Sequence, residues 1–272
     1  MSGTDSANEQ QRDQADPDLV PLPEDWERAT PGSVSGACIQ PLPEDWERAL
    51  AIVAHPDDLE YGASTAVARW STMGKDVRYV LATRGEAGID SMEPSEAGPL
   101  RSAEQVAAGA AVGVSVVEFL DHPDGLVTNG IELRRDLAAA IRHHQPEVII
   151  GSNYRDRWGD SGPWNHVDHR ELGRALPDAV RDAANRWLFT DAGEPWSGVR
   201  WIAYASSPAP THGVDVTDHL AAGVASLRCH RVYIENLGDP TFNPDSFLSN
   251  SCQRAGERLG VQYGVTFELI PM

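Results

Sequence analysis

Three polar side chains, His55, Asp57 and Asp58, crowd into the four residues that follow a run of small and apolar ones, Ala49 to Ala54. The run reads as a strand buried on both faces, as in a parallel sheet with helices on either side. Pro56 offers no N–H to a ladder and ends it. Open α/β sheets bind ligands in the crevice at the carboxyl ends of their strands, so chemistry is expected at this turn. An imidazole and a carboxylate three positions apart can converge on one cation. That donor mix suits Zn²⁺, whose hydrolytic sites take three protein ligands and keep a fourth position for water. Asp57, between the two, points elsewhere and can act as a base. The plainer reading of the same residues is a turn in which Asp58 caps the following helix.

A second cluster tips the balance. His166 and His169 lie three apart at the start of a predicted helix, with Asp168 between them, after a later strand of the same sheet. With His55 and Asp58 they make a mononuclear metal site plausible, and His169 is the best third ligand. His166, on the neighbouring face, is then free for an electrostatic or acid role, oriented by Asp168 as carboxylates orient histidines elsewhere.

The elements that must position these groups follow from periodicity. Ala63, Ala66, Val67 and Trp70 form one helical face, closed by Gly74 past the helix end. Val77–Thr83 reads as a second strand, which completes a βαβ unit. The loop Thr83-Arg84-Gly85-Glu86-Ala87-Gly88 then enters the same crevice as His55. A long loop over 89–99, a helix from Arg101 to Ala111 and a strand from Val114 to Leu120 are predicted next. Asp121-His122-Pro123-Asp124-Gly125 echoes the first motif; it is mostly turn chemistry, with Asp124 a candidate substrate contact.

A helix over 131–144 and a strand over 147–151 lead to a polar loop, 153–164, whose aromatic rings, Trp164 among them, could cover the core edge or stack on a sugar. The next helix buries Leu172, Ala175, Leu176, Ala179, Val180 and Ala183, with a kink or break predicted at Pro177. Strands at 200–205 and 213–216 and a helix over 217–230 complete the pattern, followed by a loop rich in Asn, Asp and Pro. Alternating strands and helices of these lengths mean α/β with a mostly parallel sheet.

Composition narrows the partners. The 272 residues are 41% hydrophobic, with a formal charge of −19, which disfavours nucleic acid and acidic membrane faces. No run reaches the roughly 20 apolar residues of a membrane span, and no secretory signal opens the chain, so a cytoplasmic protein without membrane insertion is expected. Cys38, Cys229 and Cys252 have no paired-ligand spacing and read as inert thiols. Residues 1–40, with eight acidic and two basic side chains, read as a disordered or loosely attached tail, and residues 41–272 as a single domain. Pro-Leu-Pro-Glu-Asp-Trp-Glu-Arg-Ala occurs at 21–29 and again at 41–49. The second copy runs into the first strand, so Trp46 is expected near the sheet; two copies are too few for a solenoid.

Ala54-His55-Pro56-Asp57-Asp58-Leu59-Glu60, followed a hundred residues on by His166-Val167-Asp168-His169, resembles the LmbE-like/PIG-L family of zinc-dependent N-deacetylases. The resemblance spans the chain after residue 40 and implies a Rossmann-like three-layer α/β sandwich. It implies Zn²⁺ on His55, Asp58 and His169, with Asp57 as general base and His166 stabilising the oxyanion. Arg101, in an Arg-x-x-Glu helix opening, and Asp124 match positions that hold sugar hydroxyls in relatives, although Gln105 stands where a Leu is usual. Glu86 and Trp164 are further candidate substrate contacts. The substrate so implied is a small glycosylated molecule. The lead-in at 43–48 and the loops at 83–88 and 154–159 look like deacetylases of teicoplanin-type glycopeptide pseudoaglycones. A mycothiol-pathway deacetylase or amidase is the second candidate, and a zinc-stabilised sugar-binding module is the alternative that is not an enzyme.

Overall fold

The computed structural model describes residues 39–158 and 162–272. Residues 1–38 of the expected tail, with the first copy of the repeat at 21–29 and Cys38, lie outside the described residues; of its last two residues, Ile39 is buried and Gln40 opens the first strand. The central strand, β2 (Arg48–Val53), follows a two-residue β1 (Gln40–Pro41). Alternation along β2 shows how its sequence works: Ala49, Ala51 and Val53 enter one core, Leu50, Ile52 and Ala54 the other. A strand without a polar face must be covered on both sides, and it is.

Among the described residues, eight strands form one sheet in the order β1-β7-β8-β6-β5-β2-β3-β4, with β3 at Asp76–Leu81, β4 at Val117–Phe119, β5 at Val148–Ser152, β6 at Trp201–Ala205, β7 at His212–Asp215 and β8 at Gly264–Pro271. All neighbours pair in parallel except β8, which runs antiparallel to both β6 and β7. Helix α2 (Ser64–Thr72) follows α1 (Asp58–Gly62) after a break at Ala63, packs Ala66, Val67 and Trp70 on one face of the sheet, and ends at Gly74 with φ +83°. Helices α4 (Ile131–His144) and α5 (Val167–Ala184) cover the other face with Leu133, Leu137, Ile141, Leu172 and Leu176. Trp46 is fully buried and meets Trp70 edge to face at 5.3 Å, which gives the second repeat copy its place beside the sheet.

The topology brings the two motifs together. From β2 the chain moves outward through β3 to β4, then returns to lay β5 on the opposite side of β2, in register Leu50↔Ile149. That reversal opens a crevice at the carboxyl ends of β2 and β5. His55 leaves the end of β2, and the segment after β5 delivers His166 and His169, so 111 residues of sequence separation close to a few ångströms.

Several elements differ from the sequence expectation. Helix α3 runs Pro94–Ala111, so most of the expected 89–99 loop is helical: Pro94 takes a first-turn position, where its missing N–H costs nothing, and the helix tolerates Pro99. Helix α5 continues through Pro177 unbroken. Strand β4 has three residues, shorter than the stretch 114–120. The helix expected over 217–230 is a 3₁₀ turn at Thr217–His219 followed by α6 (Leu220–Leu227), with α7 at Arg231–Glu235 inside the expected loop. Helix α8 (Pro244–Leu259), capped by Asn243, and β8 had not been anticipated.

Candidate active site

Backbone geometry sets the first motif. Asp57 adopts φ +85°, a left-handed conformation that costs a non-glycine residue about 1–3 kcal/mol and marks a site where the surroundings enforce it. Its N–H donates to Gln105 Oε1 at 2.9 Å, and its carbonyl accepts from Tyr61 N at 3.0 Å. This turn sends Asp57 and Asp58 in different directions. Asp58 folds back so that Oδ2 accepts from the amides of Ala54 and His55, at 3.0 and 2.9 Å. Its Oδ1 lies 2.8 Å from His169 Nε2.

His55 Nδ1 is 3.1 Å from His169 Nε2, so two imidazole nitrogens and one carboxylate oxygen face a common point. Both rings are fixed from behind. His55 Nε2 lies 3.1 Å from Asp124 Oδ1 and 3.1 Å from Asp168 Oδ2, and His169 Nδ1 lies 2.9 Å from Asn165 Oδ1. Carboxylate or amide oxygens behind ligating histidines set the tautomer that frees the front nitrogen for a metal. Charge points the same way. Four carboxylates, of Asp57, Asp58, Asp124 and Asp168, gather around these rings, and Arg101 contacts one of them. Burial lowers the proton affinity of His55, but the hydrogen bonds of Asp124, Asp168 and Asp58 outweigh it and hold the ring well above the ordinary histidine range. Against the cost of burial, His169 holds Asp58 well below the usual carboxylate range. A site that binds positive charge so strongly fits a divalent cation, and the two-nitrogen, one-oxygen donor set suits Zn²⁺.

Asp57 stands beside this cluster. Burial pushes its carboxyl up to about 7 against the opposing charge of Arg101, whose Nη2 is 3.0 Å from Asp57 Oδ2. Arg101 is only 2% exposed and also donates to Pro56 O and Gly85 O. The glycines of the 83–88 loop make room for it, since a Cβ on Gly85 or Gly88 would fall 2.2 or 2.3 Å from Arg101 Nη1. Arg101 therefore ties Asp57 to that loop while still lining the cavity beside the histidines.

Asp168 is fully buried, with its oxygens on His55 Nε2 and on the amides of Gly125 and Val127. Its carboxylate thus sits behind His55, and its N–H, rather than its carboxylate, meets His166 Nδ1 at 3.3 Å. His166 is exposed and stands edge-on to His55 with ring centres 4.9 Å apart; burial and the neighbouring His55 lower its proton affinity. Asp124 reaches the cluster and also accepts from Ala87 N. Glu86 braces the loop, accepting from the amides of Asp124 and Arg84, and does not line the cavity. Trp164, 58% exposed, faces Arg157 and Arg170, while Trp158 stands edge-on to His169 at 5.8 Å. The ring near the site is thus Trp158.

Two contributors escaped the sequence. Tyr233 of α7 stacks on the Arg101 guanidinium at 4.1 Å and lines the cavity. Gln105 connects the Asp57 amide to the fully buried Glu60, which also accepts from Ser226 and has His230 Nε2 at 3.3 Å. The signal for Gln105 was its departure from the family pattern, an amide where a Leu is usual, on a helix face that also buries Arg101 and Ser102.

A family profile described as PIG-L, GlcNAc-PI de-N-acetylase, matches residues 50–180. A 1D-myo-inositol 2-acetamido-2-deoxy-alpha-D-glucopyranoside deacetylase of Kineococcus radiotolerans is 37% identical over 253 residues, covering 68% of this chain and 68% of its own. The chain belongs to the PIG-L/LmbE-like deacetylase family. Its fold is close to that of the N,N'-diacetylchitobiose deacetylase of Pyrococcus horikoshii, with a TM-score of 0.74 and 26% identity over 84% of this chain and 85% of that one. A zinc-inhibited form of a teicoplanin deacetylase shares the fold at a TM-score of 0.60 and 14% identity, covering 83% and 98% of the two chains. Members of this family hydrolyse an amide, and the enzyme class follows for this chain. No helix among the described residues is long and apolar enough to cross a membrane.

Proposed function

We propose that this family member removes the acetyl group from an N-acetylglucosaminyl conjugate, using Zn²⁺ held by His55, Asp58 and His169. The observation that carries the reading is the convergence of His55 Nδ1, His169 Nε2 and Asp58 Oδ1 beside a carboxylate, Asp57, that is engaged elsewhere. Bound there, the metal supplies a Lewis acid and a position for water. Asp57 accepts the proton of the attacking water and delivers it to the leaving amine, and burial has brought its proton affinity close to neutral pH, where such transfer is efficient. His166 faces the carbonyl oxygen as negative charge develops on it, a contribution worth about 3 kcal/mol in comparable sites. Asp168 and Asp124 hold His55 in its ligating tautomer. The C–N bond of the amide breaks, and acetate and a free amino sugar leave.

The order of substrates differs from the one suggested by the loop motifs. The Kineococcus relative, at 37% identity, is named for deacetylation of an inositol glycoside, whereas likeness to the teicoplanin deacetylase at 14% identity is one of fold alone. The N-acetylglucosaminyl inositol therefore comes first and the glycopeptide pseudoaglycone second. The test is acetate release by the zinc-loaded protein from the inositol glycoside, the pseudoaglycone and diacetylchitobiose. Release from the inositol glycoside is expected; release from the pseudoaglycone alone reverses the order, and release from none of them overturns the reading.

A further inference from the structure

Beneath the Asp57 turn lies a buried polar cluster that no step of the proposed reaction uses. Glu60 of α1, Ser226 of α6 and His230 are fully buried, and Gln105 of α3 is 1% exposed. Gln105 Nε2 donates toward both carboxylate oxygens of Glu60, at 3.2 and 3.3 Å. Ser226 Oγ lies 3.2 Å from Glu60 Oε1 and 2.9 Å from the carbonyl oxygen of Ala108. His230 Nε2 is 3.3 Å from Glu60 Oε2, near but out of line for a hydrogen bond. Replacing buried ionic groups by apolar ones of similar volume is often neutral or stabilising, so stability by itself does not account for a carboxylate here.

What Glu60 does decide is which way Gln105 faces. A side-chain amide has an oxygen that accepts and a nitrogen that donates, and either can be turned to a given neighbour. An ionised carboxylate only accepts, so Glu60 takes the nitrogen. The oxygen is left to point at the Asp57 N–H, which it meets at 2.9 Å. The opposite orientation sets oxygen against carboxylate at one end and N–H against N–H at the other. That N–H belongs to the residue with φ +85°, whose left-handed backbone persists only because its surroundings enforce it. We propose that Glu60 is a positioning residue for Asp57: it fixes the polarity of Gln105, and the oriented amide holds the Asp57 turn so that its carboxylate faces the reacting water. The inference rests on the N-deacetylase reading and adds to it a residue that acts without touching substrate.

The test is a double-mutant cycle of Glu60→Gln and Gln105→Leu on the zinc-loaded protein. In Glu60→Gln the facing amide can donate or accept, so the polarity of Gln105 is lost. Its kcat is expected to fall about tenfold, the worth of a hydrogen bond to a charged group, with KM and metal content at wild-type values. A purely structural role would move the melting temperature and leave kcat per folded molecule in place. Because Glu60 acts through Gln105, the double variant is expected to match Gln105→Leu alone. Effects that multiply to about a hundredfold, or wild-type kcat in Glu60→Gln, overturn the proposal. If the wild type hydrolyses no conjugate, the deacetylase reading fails by itself, and amide hydrogen exchange still decides the inference. The Asp57 amide is expected to exchange about tenfold faster in Glu60→Gln than in wild type, while the His55 amide, held by Asp58 Oδ2, keeps its rate. Equal Asp57 rates in the two proteins overturn the proposal.

Discussion

Arg142 and the carboxylates around His55 are both buried charge, built in opposite ways. Arg142, 4% exposed, projects from α4 into the carboxyl end of α5 and the loop beyond. Its guanidinium donates to the carbonyls of Asp182, Ala183, Asn185, Leu188 and Phe189. Every donor nitrogen is used, on neutral acceptors at a helix end that favours positive charge. Around His55 the balance is uneven, with four carboxylates, two imidazoles and one tethered arginine. Buried charge that is fully satisfied holds the structure together, whereas buried charge left in excess is poised for a ligand. The difference lies in the partners rather than in the depth of burial.

That contrast can be broken or sharpened by experiment. Chelation of the metal is expected to abolish acetate release and added Zn²⁺ to restore it; full activity in metal-free protein would contradict the unbalanced-charge side of the comparison. Asp57→Asn is expected to lower kcat by about 10³-fold while metal content and melting temperature stay at wild-type values. His166→Ala is expected to cost about 10²-fold in kcat with metal content unchanged. Arg142→Met leaves several carbonyls unpaired and is expected to cost about 3 kcal/mol, ~6–12 °C in melting temperature, with kcat/KM per folded molecule within about twofold. Loss of activity without loss of stability in that variant would erase the distinction. The smallest effect is expected from Gln105→Leu, which frees the Asp57 amide: about tenfold in kcat, with KM and metal content held.

Much of this was legible because the chemistry is compressed into short stretches. His55, Asp58 and His169 are identifiable since a strand end and a helix start each carry two donors three residues apart, and α4 was bounded correctly at Ile131 and His144 by its apolar period. What escaped depends on contacts between distant elements. Gln105 reaches the site from α3, one residue past the Arg-x-x-Glu motif, and Tyr233 from α7, which carries no motif. Trp158 and Trp164 belong to the same loop, and no period distinguishes the ring that faces His169 from the one that faces two arginines. Strand β8 turns Val265 and Phe267 toward one core, and the buried Glu268 follows Phe267 on the other face; that acid, held by Arg155, Tyr154 and Ser207, disguises an interior strand.

The most direct test is an anomalous difference map at the zinc edge from crystals of the zinc-loaded protein. One peak is expected about 2.0–2.2 Å from His55 Nδ1, His169 Nε2 and an oxygen of Asp58, with Asp57 off the metal and still paired with Arg101. A peak at a second histidine–carboxylate cluster among the described residues, Glu118 with His143 and His144, and none between His55 and His169, would contradict the account.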